Sequence, residues 1–251
     1  MSGAGNQFHV VSFSGGKDST AMLLMMIERG IRVDQVVFCD TTKEFPAMYD
    51  HIELVKKMIS PIRITTVTFD YDYYFSEYML TKGKRTGERG LGWPFHGFRW
   101  CTGKKRSAMK KATLPNSTEF IGIAADEYWR TKKASYEGRD VRFPLVEWGI
   151  TEAMALAYCQ SRGLTFCGLY SKMKRVSCWC CPLQRIGSLR TLHNDFPDLW
   201  ARLKVMDEKS TKYRFRQDYT LQQLERRFAA EEKQQRLSLV EGKDGNKQNL
   251  Q

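Results

Sequence analysis

Apolar residues along this chain keep two rhythms. Phe8 to Phe13 is a short apolar run of strand length, and Thr20 to Arg29 follows it with helical composition. Val33 to Cys39 reads as a second buried strand. A helix is predicted from Pro46 to about Met58, with Met48, Ile52, Val55 and Met58 near helical spacing and Pro46 suited to its first turn. Ile62 to Phe69 alternates as a third strand, and Glu119 to Ala124 reads as a fourth. Thr151 is a predicted N-cap for a helix containing Ala153 to Arg162, with Gly163 as its C-cap. From Gln184 onward the period is helical: Ile186, Leu189 and Leu192, then Leu199, Leu203 and Met206, with a break at Pro197 and a last run from Tyr219 to Arg236. Strands alternating with helices predict an open, mostly parallel, Rossmann-like α/β sheet. The expected organisation is a nucleotide-binding domain over residues 1–183, a helical extension over 184–236 and a disordered polar tail over 237–251.

Between the first strand and the first helix stands Ser14-Gly15-Gly16-Lys17-Asp18-Ser19. Two glycines let the backbone turn without a Cβ, so that amides converge on one point, and the following helix adds the positive end of its dipole. Lys17 supplies a mobile cation, Ser14 and Ser19 supply hydroxyls, and Asp18 could hold a magnesium ion or the loop itself. The glycine-to-lysine spacing is too short for a Walker A loop. The stretch resembles the SGGxDS PP-loop of the ATP pyrophosphatases and of the phosphoadenosine-phosphosulfate reductases.

Further blocks carry the same resemblance over most of residues 8 to 183. Asp40-Thr41-Thr42-Lys43-Glu44-Phe45-Pro46 is similar to the DTGxEFP block, with Thr42 in the glycine position. Asp40 ends the second strand, where a carboxylate faces the ligand crevice of a doubly wound sheet. Arg99-Trp100-Cys101 resembles a block in which a cysteine begins a helix, a setting expected to lower a thiol pKa. The segment after the fourth strand resembles a nucleotide-proximal block; Ala124 replaces its arginine, Tyr128 its serine, and Arg130 stays as a candidate anion contact.

Cys178-Trp179-Cys180-Cys181-Pro182 has CxxC spacing and resembles the GCxxCP block of iron–sulfur members. With Cys101, the thiols Cys178, Cys180 and Cys181 suit a [4Fe–4S] cluster or, alternatively, a structural zinc. Cys39, Cys159 and Cys167 read as buried hydrophobes.

Composition narrows the setting. Seven cysteines, with a short polar stretch from Met1 to Gln7 instead of a signal peptide, point to a reducing, cytoplasmic compartment. No apolar run is long enough to span a membrane. A net charge of +12 points to a polyanionic partner. Residues 82–111 concentrate that charge. Their first part reads as a glycine-rich flexible loop, and Trp93, Phe95, Phe98 and Trp100 lie among the cations, a mix that suits a nucleotide lid or a DNA or tRNA groove.

The resemblance implies ATP, magnesium and cleavage between the α- and β-phosphates, with Lys17, Asp18 and Asp40 as catalytic candidates. Ser14, Gly15, Gly16, Lys17, Asp18, Ser19, Asp40 and Arg130 are the candidate nucleotide contacts. Sulfonucleotide reductases generally have a degraded PP-loop and attack with a tail cysteine, whereas this chain keeps the loop intact and has no cysteine after Cys181. The expected activity is adenylation followed by sulfur transfer to a nucleic acid or nucleotide, with a possible sulfur-donor protein. The alternatives are a sulfonucleotide reductase and a non-enzymatic, zinc-containing nucleic-acid-binding module.

Overall fold

A computed structural model describes residues 7–210 and 212–245, with 235–245 as backbone alone. The described residues cluster into two compact units. The first comprises residues up to Tyr71 together with Arg99–Trp179; the second comprises Asp72–Phe98 and the residues from Cys180 onward. The segment 72–98, which lies inside the expected nucleotide-binding domain, thus groups with the C-terminal helices.

The first unit is an α/β layer structure. Strands β1 (Phe8–Phe13), β2 (Gln35–Asp40), β3 (Ile64–Thr68), β4 (Ser117–Ile121) and β5 (Val141–Arg142) form one sheet in the order β3-β2-β1-β4-β5. Every pairing is parallel, and Val11 of β1 stands opposite Val36 on one side and Phe120 on the other. Parallel strands need crossovers, and these are supplied by α1 (Lys17–Glu28), α2 (Pro46–Met58) and α3 (Trp100–Ala112). The chain steps outward from β1 through β2 to β3 and then returns to the far side of β1 for β4. The strand order therefore reverses between β1 and β4, the position at which open α/β sheets bind ligands.

Helix α1 is the hub of this unit. Thr20, Ala21, Met22, Leu23 and Met26 are fully buried, because the helix is enclosed between the sheet and α5 (Glu152–Gln160). Each such Leu or Met contributes about 1.5–3 kcal/mol by leaving water. Thr151 caps α5 as expected, its Oγ1 accepting from the Met154 amide at 3.3 Å. The short α4 (Pro144–Glu147) precedes it and α6 (Leu169–Lys172) follows. The last strand, β5, has no counterpart in the sequence reading, since two residues are too few to set up a period. The fourth strand ends at Ile121, before the expected Ala124.

The second unit is built from α7 (Ile186–Asp195), α8 (Pro197–Lys209) and α9 (Leu221–Gly245), with 72–98 packed among them. Trp93 lies edge-on to both Phe75 and Phe215, with centroids 4.7 and 5.0 Å away, and its indole N–H donates to Asp207 at 2.7 Å. The glycine-rich stretch is a closed turn rather than an open loop: the Leu80 amide donates to the Glu88 carbonyl at 2.9 Å and the Gly87 amide to the Leu80 carbonyl at 2.8 Å. The helix expected to end at Arg236 continues as helical backbone to Gly245; 246–251, part of the expected tail, lie outside the described residues.

Candidate functional site

The turn after β1 closes on its own serines. Ser19 Oγ accepts from the Ser14 amide at 3.1 Å, lies 3.0 Å from Ser14 Oγ and donates to the Gly16 carbonyl at 3.0 Å. Gly15 sits at φ +76°, a left-handed conformation that glycine enters without steric cost. Gly122, just past β4, is the other glycine the geometry demands. A Cβ there would lie 2.8 Å from both the Cα and the amide nitrogen of Ser19, so only a hydrogen side chain lets the β4 end press against the start of α1. Tyr170 closes the turn from a third direction. Its hydroxyl accepts from the Lys17 amide at 3.0 Å, and burial pushes its phenol pKa up.

Lys17 does not project into solvent. It is 5% exposed, and its ammonium donates to Asp18 at 2.7 Å and to Glu152 at 3.0 Å. Asp18, Glu127 and Glu152 each present a carboxylate oxygen, and these oxygens lie within 4.8 Å of one another. Burial raises the Asp18 pKa; the hydrogen bond and charge of Lys17 pull it down, while Glu152 and Glu127 push it further up. Three hard oxygen donors at the N-terminus of α1 suit a magnesium ion, which would relieve the mutual repulsion that Lys17 offsets only in part. Among the described residues, this is the group of His, Cys and carboxylate side chains that converges so closely.

Glu127 is also the meeting point of cations. Arg130 donates to it, and Arg175 stands 3.9 Å away. Lys133 belongs to the same cluster: partial burial lowers its pKa, and Arg130, Arg99 and Arg175 lower it further. Arg130 thus stands beside the acid group, paired with Glu127. Ala124, in the position where the related block has arginine, is fully buried and adds no charge.

Asp40 stands at the β2 end, as expected, and its carboxylate is engaged locally. It accepts from the Thr42 amide at 2.7 Å and from the Tyr49 hydroxyl at 2.8 Å. Thr42 itself sits at φ +59°, the left-handed conformation that the glycine of the related block would take freely. The same loop reaches Cys178 and Trp179. Cys178 Sγ lies 3.3 Å from Thr41 Oγ1 and 3.7 Å from Glu44 Oε1, and the Trp179 amide donates to the Lys43 carbonyl at 2.9 Å.

Cys101 and Cys178 belong to the first unit, Cys180 and Cys181 to the second. Cys101 occupies the first turn of α3 and is half-buried. Its thiol pKa moves opposite to expectation: burial pushes it up and outweighs the lowering by Thr102 and Arg99. Cys180 is fully buried, while Cys178 and Cys181 are half-buried. Soft thiol donors of this kind match an iron–sulfur or zinc centre in their chemistry. Of the three cysteines read as buried hydrophobes, Cys39 and Cys159 are buried; Cys167 is exposed, in a left-handed turn at φ +48°.

Glu152 and Glu127 escaped the sequence reading. Glu152 is 135 residues from Lys17, and nothing in its local pattern beyond its place after the N-cap sets it apart from a helix-end charge. No helix among the described residues is long and apolar enough to cross a membrane.

Two comparisons bear on this geometry. The chain is similar to an uncharacterised protein of Methanocaldococcus jannaschii, 25% identical over 220 residues; the match takes in 81% of this chain but only 42% of that relative's length. The profile of the phosphoadenosine phosphosulfate reductase domain matches residues 8–184, which include the Ser14–Ser19 turn, the acid group and the Cys178–Pro182 stretch. The chain thus belongs to the phosphoadenosine phosphosulfate reductase domain family, a nucleotide-binding family of enzymes.

Proposed function

We propose that this protein cleaves ATP between the α- and β-phosphates, adenylates an acceptor and supports sulfur transfer to a nucleic acid or nucleotide. The observation that carries the reading is the buried Lys17 ammonium, held between Asp18 and Glu152 where the strand order reverses. An intact phosphate turn with a cation and an acid group beside it suits a triphosphate with its metal.

In this reading an acceptor oxygen attacks the α-phosphorus. The bond from that phosphorus to the bridging oxygen breaks, and pyrophosphate leaves with the electron pair. A sulfur nucleophile from a donor protein then displaces AMP. Lys17 and the amides at the α1 terminus offset charge on the departing pyrophosphate, and Arg130 holds an adjacent phosphate oxygen. Asp18, Glu127 and Glu152 would hold magnesium, which supplies charge neutralisation when bound. The CxxC spacing and soft donors of the 178–181 segment support a [4Fe–4S] cluster, which would supply sulfur-handling redox chemistry, and zinc is the alternative.

ATP labelled on the α-phosphate tests the reading: AMP with equimolar pyrophosphate is expected, and ADP without pyrophosphate overturns it. Anaerobic purification followed by iron and zinc analysis and an absorption spectrum decides between the two metals. The family match itself favours a second reading, sulfonucleotide reduction. Thioredoxin-dependent release of sulfite from phosphoadenosine phosphosulfate would establish that reading.

A further inference from the structure

The 3₁₀ segment Ala125–Lys132 follows β4 at the reversal of strand order and is kinked at Glu127, whose φ of −118° is not helical. The kink turns Glu127 toward Asp18 and Glu152 while the next two residues stay outside. Tyr128 is 54% exposed and Trp129 59%, with centroids 6.0 Å apart at 77°. Two large rings at the mouth of a site forgo the stabilisation that burial would give them. Cations surround them. Lys132 Nζ lies 5.9 Å from the Tyr128 centroid, Arg130 and Arg175 converge on Glu127, and the Arg175 side chain is 66% exposed. Arg99, Arg130 and Arg175 all disfavour the charge on Lys133, so the cluster carries positive potential that Glu127 only partly cancels.

We infer that Tyr128 and Trp129, with Arg130, Lys132, Lys133 and Arg175, form a docking surface for a single-stranded nucleic acid. Exposed rings stack on bases of any sequence, and the flanking cations take the phosphates. Of the expected aromatics of 82–111, Trp93 and Trp100 are core residues, 1% and 7% exposed. A membrane surface is the poorer fit: two rings on one short turn lack the long apolar face of an interfacial helix. Glu127 belongs to both features, so a strand on these rings lies beside Lys17 and Asp18. The inference rests on the proposed function for its biological sense, not for its geometry.

The test is fluorescence anisotropy with the full chain and labelled 15-nucleotide single-stranded RNA and DNA probes, alongside a duplex and a poly-glutamate peptide. Both variants alter exposed side chains, and a thermal melt checks their folding. Tyr128→Ala/Trp129→Ala is expected to weaken single-strand binding about tenfold or more. Arg175→Ala is expected to lower the slope of log affinity against log salt by about 1. Better binding of RNA than DNA, or the reverse, identifies the strand chemistry within the proposal. Unchanged binding by both variants, no single-strand binding by the wild type, or equal ring-dependent binding of the acidic peptide overturns it. Pyrophosphate release from ATP, measured in parallel, separates the two readings. A protein that releases pyrophosphate and ignores every oligonucleotide fails only the docking inference; one that binds through Trp129 and never releases pyrophosphate fails only the functional proposal.

Discussion

The hydroxyl of Tyr170 accepts a 3.0 Å hydrogen bond from the backbone amide of Lys17, 153 residues earlier in the chain. That oxygen sits at the N-terminus of α1, where an anion's oxygen would be favoured by the same amide and the same helix dipole. A phosphate bound at this turn competes with it. Tyr170→Phe removes the competitor, so ATP affinity should rise several-fold while stability without nucleotide falls by about 1 kcal/mol. Calorimetric titration and urea unfolding check the two halves. Weaker ATP binding in the variant would make Tyr170 a ligand contact instead.

Lys17 and its carboxylates form a set in which removal of one partner exposes the others. Lys17→Met leaves Asp18 and Glu152 without their cation; the rate of pyrophosphate release should fall about 100-fold or more, as for loss of a donor to developing charge. Glu152→Gln and Glu127→Gln should each raise the magnesium concentration for half-maximal activity about tenfold. A magnesium titration of the three proteins reads this directly, and an unchanged midpoint in both Gln variants would place the metal elsewhere.

Gly122→Ala asks for a methyl group 2.8 Å from the Ser19 backbone. Since both contacting atoms are main chain, α1 has to move away from the β4 end. The variant should lose about 1–3 kcal/mol of stability in urea unfolding. Its ATP affinity should fall as well, because the displaced atoms belong to the phosphate turn. Wild-type stability would mean that the two segments separate freely.

His51 provides a pH dependence. It is 3% exposed, hydrogen-bonded to Thr20 Oγ1 at 3.1 Å, and burial lowers its pKa to about 4. The unfolded chain binds the proton near pH 6.5 and the folded protein resists it, so this contribution is whole above about pH 6.5 and is lost as pH falls toward 4. The loss attributable to this group is up to roughly 3 kcal/mol. His51→Gln should flatten that part of the stability–pH curve in denaturant titrations from pH 7 to 4. Parallel curves for wild type and variant would remove His51 as the cause.

Local pattern alone determined the strand–turn–helix unit at Phe8–Glu28, the helix opened by Pro46, the Thr151 cap and the C-terminal helical periods, because each follows from neighbours within a few residues. The Ser14–Ser19 turn was legible for the same reason, since its glycines and Lys17 adjoin in sequence. Tertiary structure decided the rest. The sheet brings Asp18, Glu127 and Glu152 together across the reversal between β1 and β4, and no local period encodes contacts over such separations. Burial decided that Trp93 and Trp100 serve the core while Tyr128 and Trp129 face solvent, and that the Cys101 thiol is raised rather than lowered. Composition states which side chains a segment carries; only the packed chain settles how much water each retains, and with it each group's charge and availability.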